Sequence, residues 1–234
     1  MQTLLAIECS SHVNAVAYLA DITQPNEWVG ELSRAGEKAS AWLLPAIERV
    51  LTKANARKTD VNIVAFGAGP GSFTGVRTAC ATAQALAYSW RAPLIAVDCL
   101  EALAMASGLA DVDVLLDARM NELYAASFTR SFESSNSGAL IRMSDTALVA
   151  TGAFAARTGA TLLGSGTPLV GASNAEKTIA AENRWAYGVA LVAIAKFARK
   201  ELTDPQHAEP IYVRNHVAQT EAQRAASALA GSRA

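Results

Sequence analysis

The sequence predicts an α/β protein made of two related halves, each a mixed sheet with helices against it. Three observations carry that expectation. Short apolar runs of strand type alternate with stretches whose apolar residues recur at helical spacing. An apolar run ending in a carboxylate, a polar turn and a returning strand occur twice, and Glu8 falls over Asp117 when the two copies are superposed. Between them a glycine-rich loop, FGAGPGSFTGVR at 66–77, joins a buried-type strand to a helix of mostly small residues.

Taken in order, residues 4–8 (LLAIE) form the first strand, Cys9-Ser10-Ser11-His12 its turn, and residues 13–20 the second strand, with 28–32 supplying a third. Over 37–54 the period changes, and Ala39, Trp42, Leu43, Ala46, Ile47, Val50, Leu51 and Ala54 make one apolar helical stripe. Pro45 interrupts it, so this helix kinks there or has its first firm turn there. Residues 61–66 are a strand, 75–90 a helix, 94–97 a strand after Pro93, and 100–106 a helix. The second half opens with a strand at 112–117, the turn Ala118-Arg119-Met120-Asn121 and a strand at 123–128. A polar loop at 131–138, a strand and glycine turn at 161–169, a long helix at 185–202 and a short strand at 209–214 follow. The expected division is 1–106, 107–214 and an alanine-rich tail, 215–234, that is frayed or loosely helical.

Composition excludes several classes. The net charge is −1 and the basic residues are scattered, so no polyanion-binding surface is expected. The nearest cluster, Arg49, Lys53, Arg57 and Lys58, reads as a solvated helix end. Three widely spaced cysteines imply no disulfide framework and fit a reducing compartment. The N-terminus MQTLLAIECSS has neither the positive region nor the apolar length of a signal peptide, and no run approaches a membrane span. A cytoplasmic protein without a membrane partner is expected.

The glycine loop fails each nucleotide motif. A Walker loop needs Lys then Ser or Thr after its last glycine, whereas Gly75 precedes Val76 and Arg77. The dinucleotide fingerprint fails because Gly71 and Gly75 are four apart, and a hydrolase elbow fails because Ser72 directly follows Gly71. What remains is a strand–loop–helix turn with Ser72 or Thr74 as N-cap. Two readings stand: its amides hold an anion, or its glycines permit a tight turn and close strand–helix packing. The three histidines, His12, His207 and His216, are not spaced as metal ligands, so neither a metal site nor a cofactor is expected. Glu8 and Asp117 carry more content. A carboxylate at a strand end before a hydroxyl-rich turn can orient a magnesium-bound water beside a phosphate, and a pair across two halves is the arrangement of the actin-like ATPase fold. That fold usually has a glycine in the first turn. The reading Glu-Cys-Ser-Ser here argues for the fold retained with its nucleotide chemistry weakened or lost. Glu8, Ser10, Ser11, Gly69, Gly71, Ser72 and Asp117 would make up such a vestigial site.

GPGSFTGVR at 69–77 resembles the signature of the bacterial TsaB (YeaZ) family, and LLAIECSS, LLPAIERVL, DARMNELYAA (117–126) and PIYVR (210–214) continue the likeness in family order. The resemblance implies two actin-like (ribonuclease H-like) domains and a role in forming threonylcarbamoyladenosine beside the tRNA anticodon. It further implies a non-catalytic subunit that docks its N-terminal helices on a TsaD-type catalytic partner and supports assembly with a TsaE-type ATPase. Such a subunit pairs with itself through the same surface when alone, and meets tRNA only through the complex. The residues supply a physical reason for docking. The first helix has Leu44 beyond its stripe, and Thr78, Ala81, Ala85 and Tyr88 give the second helix a flat face of mostly small residues. The expected partner surface is Trp42, Leu43, Leu44, Ile47, Thr74, Thr78, Ala81, Ala85 and Tyr88. The competing reading is a stand-alone ATPase or kinase of actin-like fold, or a peptidase.

Overall fold

The computed structural model describes residues 2–131, 139–172 and 175–214; most of the expected polar loop and the tail from residue 215 lie outside the described residues. Two mixed sheets are present. The first has the order β3 (Trp28–Leu32), β2 (Ala15–Leu19), β1 (Leu4–Glu8), β4 (Ile63–Gly69), β5 (Leu94–Asp98). β1, β4 and β5 run parallel, and β2 and β3 are antiparallel additions. In the second, β6 (Asp111–Arg119) lies between β10 (Thr161–Leu163) and β7 (Glu122–Arg130), and β7 also pairs with β8 (Leu140–Arg142) and β9 (Ala147–Ala150). Each sheet begins with an antiparallel hairpin, as the repeated sequence pattern predicts.

Alternation decides which helix lies where. On one face Leu5 and Ile7 of β1 and Val64 and Phe66 of β4 pack against α1 (Ala39–Lys53) and α2 (Phe73–Trp90). On the other face Leu4, Ala6, Ile63 and Ala65 meet α3 (Cys99–Ser107) and α5 (Trp185–Ala198). Val112, Val114 and Phe128 of the second sheet close the far side of that same cluster, so α3 and α5 are sandwiched between the sheets. The two helices touch closely at Gly188, where an added methyl would stand 2.1 Å from the Ala102 carbonyl oxygen. α4 (Ala175–Glu182) leans on α3.

Local chemistry explains most boundaries. Asp98 caps α3 by accepting from the Leu100 and Glu101 amides, and Gly108 ends it in the left-handed region. α5 stops at Ala198, before Leu202, because Lys200 turns left-handed two residues later. α1 starts at Ala39, so Pro45 lies inside the helix and not at its first turn. The strand expected at 209–214 does not form. β4 is flanked on both sides by β1 and β5, Pro210 has no amide to donate, and only the Ile211 amide reaches β4, at the Ala68 carbonyl (2.8 Å). β8, β9 and α4 have no counterpart among the expected elements; they are short and mostly half-exposed or exposed. Among the described residues no helix is long and apolar enough to cross a membrane.

Candidate functional site

Two features stand out, the outer face of α2 and the cleft at its N-terminus. α2 begins where Ser72 accepts a hydrogen bond from the Gly75 amide (3.3 Å). Val76, Ala79, Cys80, Ala83 and Ala87 face the first sheet. Thr74, Ala81, Ala85 and Tyr88 lie on the exposed side, Tyr88 at 72% exposure, while Thr78 is half-buried with its hydroxyl donated to the Thr74 carbonyl (2.9 Å). Arg77 is the single charged residue of this 18-residue helix. A solvent-facing helix normally carries charge on its outer side, so this neutral, small-residue face is unusual. α1 lies beside it on the same face of the sheet. Trp42, Leu43 and Ile47 point inward and fill the monomer core, which leaves Leu44, 55% exposed, as the one expected α1 contact on the surface.

The expected phosphate residues occupy different environments. Glu8 is fully buried. Its carboxylate accepts from the Ser10 amide and from the Cys99 thiol (3.2 Å), whose sulfur in turn accepts from the Gly69 amide (3.1 Å). Burial pushes the Glu8 carboxyl above its ordinary range, and the hydrogen bonds from Ser10 and Cys99 only partly offset it. Burial and the Glu8 charge raise the Cys99 thiol well above its own.

The glycines of the loop are used for contact. A methyl on Gly75 would stand 1.8 Å from the Cys9 carbonyl oxygen, and one on Gly71 would stand 2.5 Å from the Ser10 carbonyl oxygen. The Ser72 amide donates to that Ser10 carbonyl (2.7 Å). The geometry shows this loop packed closely on the turn after β1. Asp117 caps its own turn, accepting from the Arg119 amide (2.7 Å) and pairing with its guanidinium (3.0 Å). Arg119, Met120 and Asn121 are consecutive left-handed residues there.

A cleft of about 630 Å³ opens between the halves, and Ser10, Ser11, Gly71, Ser72 and Asp117 line it; Glu8 does not. Residues that motif reasoning had not assigned complete it. The Arg77 guanidinium lies 3.3 Å from the ring centre of Phe73 and 5.0 Å from that of Tyr212. Arg214 donates to the Ala118 carbonyl (3.0 Å) and pairs with Glu122. GPGSFTGVR, DARMNELYAA and PIYVR, separated in sequence, therefore meet at one cleft; Arg214 and Glu122 were visible as opposite charges in two of those stretches. Among the described residues no group of three or more His, Cys, Asp or Glu side chains is placed to hold a metal ion.

Comparison with known proteins places these features. The family model described as TsaD, tRNA N6-adenosine threonylcarbamoyltransferase, matches residues 33–158. A tRNA threonylcarbamoyladenosine biosynthesis protein TsaB from Haemophilus influenzae is 35% identical over 136 residues, 55% of this chain and 54% of the relative. The Escherichia coli protein of the same name is 40% identical over 92 residues, 38% of this chain and 40% of the relative. The chain thus spans about half the length, or less, of these curated relatives. The crystal structure of YeaZ from Pseudomonas aeruginosa is similar with a TM-score of 0.73 and 25% identity, covering 91% of this chain and 100% of that one.

Proposed function

The chain belongs to the TsaB (YeaZ) family, and from that premise we propose that it is a non-catalytic subunit in the formation of threonylcarbamoyladenosine on tRNA, which docks on a TsaD-type catalytic partner. The observation that carries the docking is the outer face of α2. Thr74, Ala81, Ala85 and Tyr88 present a neutral surface of mostly small side chains along a helix about 27 Å long at 1.5 Å per residue. Small side chains let a second helix approach closely, and Leu44 and Tyr88 supply the larger anchors. The face offers packing and no catalytic group.

The cleft supports the same reading. Glu8 is sealed in the core, and Gly71 and Gly75 are packed on the preceding turn, which supports a fold kept with its nucleotide chemistry weakened. The stand-alone ATPase reading needs those groups free. In this proposal a TsaE-type ATPase joins through the assembled pair, tRNA is met through the complex, and a second copy takes the same α2 face when the partner is absent. Residues 1–106 carry the docking helices and 107–214 the second actin-like unit, in the cytoplasm.

Reconstitution tests the proposal: this chain, its cognate TsaD-type partner, the TsaE-type ATPase, the adenylate-forming enzyme and tRNA are combined. Modified adenosine is expected only when the chain is present. Full modification without it overturns the proposal.

A further inference from the structure

Residues 203–214 run as one strap across both halves, with a single 3-10 turn at Pro205–His207, and its two ends are held differently. At the first end the Thr203 amide donates to the Leu94 carbonyl (2.8 Å), and the Thr203 hydroxyl accepts from the Ala96 amide (3.1 Å). The Gln84 side chain of α2 then donates to the Pro205 and Ala208 carbonyls (2.9 and 3.1 Å), and the buried Cys80 thiol donates to Ala208 as well (3.4 Å). The Ile211 amide is tied to Ala68. Beyond that point Ile211 and Tyr212 are exposed, at 38% and 50%, and form part of the cleft wall. Among the described residues, the polar contacts of the far end with the second half are made by Arg214, through Glu122, the Ala118 carbonyl and the Met120 sulfur of the β6–β7 turn, while Tyr212 lies beside Arg77 of α2.

We propose that residues 203–214 are a strap fastened to β5 and α2 at its first end and releasable at Arg214, so that undoing this clasp frees the span through Ile211 and opens the cleft while the core stays folded. The asymmetry carries the proposal. The fixed end is a set of buried or half-buried hydrogen bonds to two elements of the first half, β5 and α2. The releasable end is one side chain that reaches across to the second half, at the tip of the β6–β7 hairpin. Local opening takes place where few buried contacts must break. Because Cys80 and Gln84 sit on the inner side of α2, the strap also ties the β6–β7 turn to that helix.

The test uses the full chain and three built-in reporters, the last of them the Ala6 amide of the core strand β1. The Ile211 amide reports the free span, by hydrogen exchange, and the Cys80 thiol, 4% exposed beneath the fixed end, reports lifting of the whole strap by its rate of alkylation. Arg214→Ala is expected to speed exchange at Ile211 about tenfold or more, leaving Cys80 alkylation and the Ala6 amide of β1 unchanged. The reversed pair Glu122→Arg with Arg214→Glu is expected to restore slow exchange. No change at Ile211, or no restoration by the reversed pair, overturns the proposal. Should Arg214→Ala loosen all three reporters, Glu122→Gln decides: selective loosening of Ile211 sustains the clasp, and equal loosening of all three removes it.

Discussion

The carboxyl of Glu8 and the thiol of Cys99 lie 3.2 Å apart, and both are sealed from solvent. They join the end of β1 to the start of α3, and the Gly69 amide of β4 adds a third contact through the Cys99 sulfur. The carboxylate position that the actin-like fold places at its reaction centre is here a structural knot. A methyl on Gly67 would stand 1.9 Å from the Glu8 oxygen, so the knot has no room for a larger neighbour.

The knot makes stability depend on pH. Burial raises the folded-state pKa of Glu8 above its ordinary value, so folding takes up a proton. The stabilising contribution is fully present below the ordinary carboxylate range and is lost as pH rises through the raised folded value. Glu8→Gln keeps the shape and removes the titration. The variant should be the more stable protein at pH 8, by on the order of 1 kcal/mol, with the gap closing toward pH 4. Urea unfolding of both proteins across that interval checks it; a gap that widens toward acid contradicts it.

Gly75 lies inside a helix, where alanine is intrinsically better by about 1 kcal/mol. Gly75→Ala should nevertheless destabilise the protein by about 3 kcal/mol, because its methyl meets the Cys9 carbonyl. Gly152→Ala, with nothing within 4 Å of the added carbon, should be nearly neutral. Paired chemical denaturation curves decide whether space, and not residue type, sets the cost.

Asp113 is buried at 1% exposure, and Arg157 is its ion-pair partner at 2.6 Å. Arg157→Ala leaves that carboxylate with the residue 157 amide (2.9 Å) but without its countercharge, and should cost about 3 kcal/mol. Asp113→Asn combined with Arg157→Ala should recover part of the loss. A double-mutant cycle measures the coupling.

Ala81→Glu and Ala85→Arg place charge on the exposed face of α2 without touching the core. Thermal midpoints should stay within a degree or two, while affinity for the TsaD-type partner falls about tenfold or more. Calorimetric titration reads the affinity directly. Unchanged binding would take these positions out of the docking surface.

Much of the fold was legible because strand and helix periods differ sharply in this chain. The continuous apolar run of Leu4–Glu8 and the stripe through Trp42, Ile47 and Val50 identified a strand and a helix that the structure reproduces, with these residues buried. The same stripe misled at the surface. A broad apolar stripe does not reveal how much of itself one sheet will cover, and Trp42, Leu43 and Ile47 went inward, whereas Leu44, off the stripe, stayed out. Glu8 and Asp117 matched as sequence positions, yet one is in the core and the other faces the cleft; a repeat aligns backbones without equalising environments. Residues 209–214 read as a strand because IYV has strand character. No local signal says that the neighbouring strand already has both edges occupied. The clasp at Arg214 depends on Glu122, far earlier in the chain, a separation that periodicity does not address.

The sandwiching of α5 between the sheets has a consequence for synthesis. Leu4, Ala6, Ala17 and Leu19 are made well before residues 185–198, which supply part of the surface they rest against. Until that helix is made, the nascent first half holds an uncovered apolar face. The packing of this hairpin is therefore completed only after residue 198 has been added, and apolar surface left open in the meantime is the kind that invites aggregation or a chaperone.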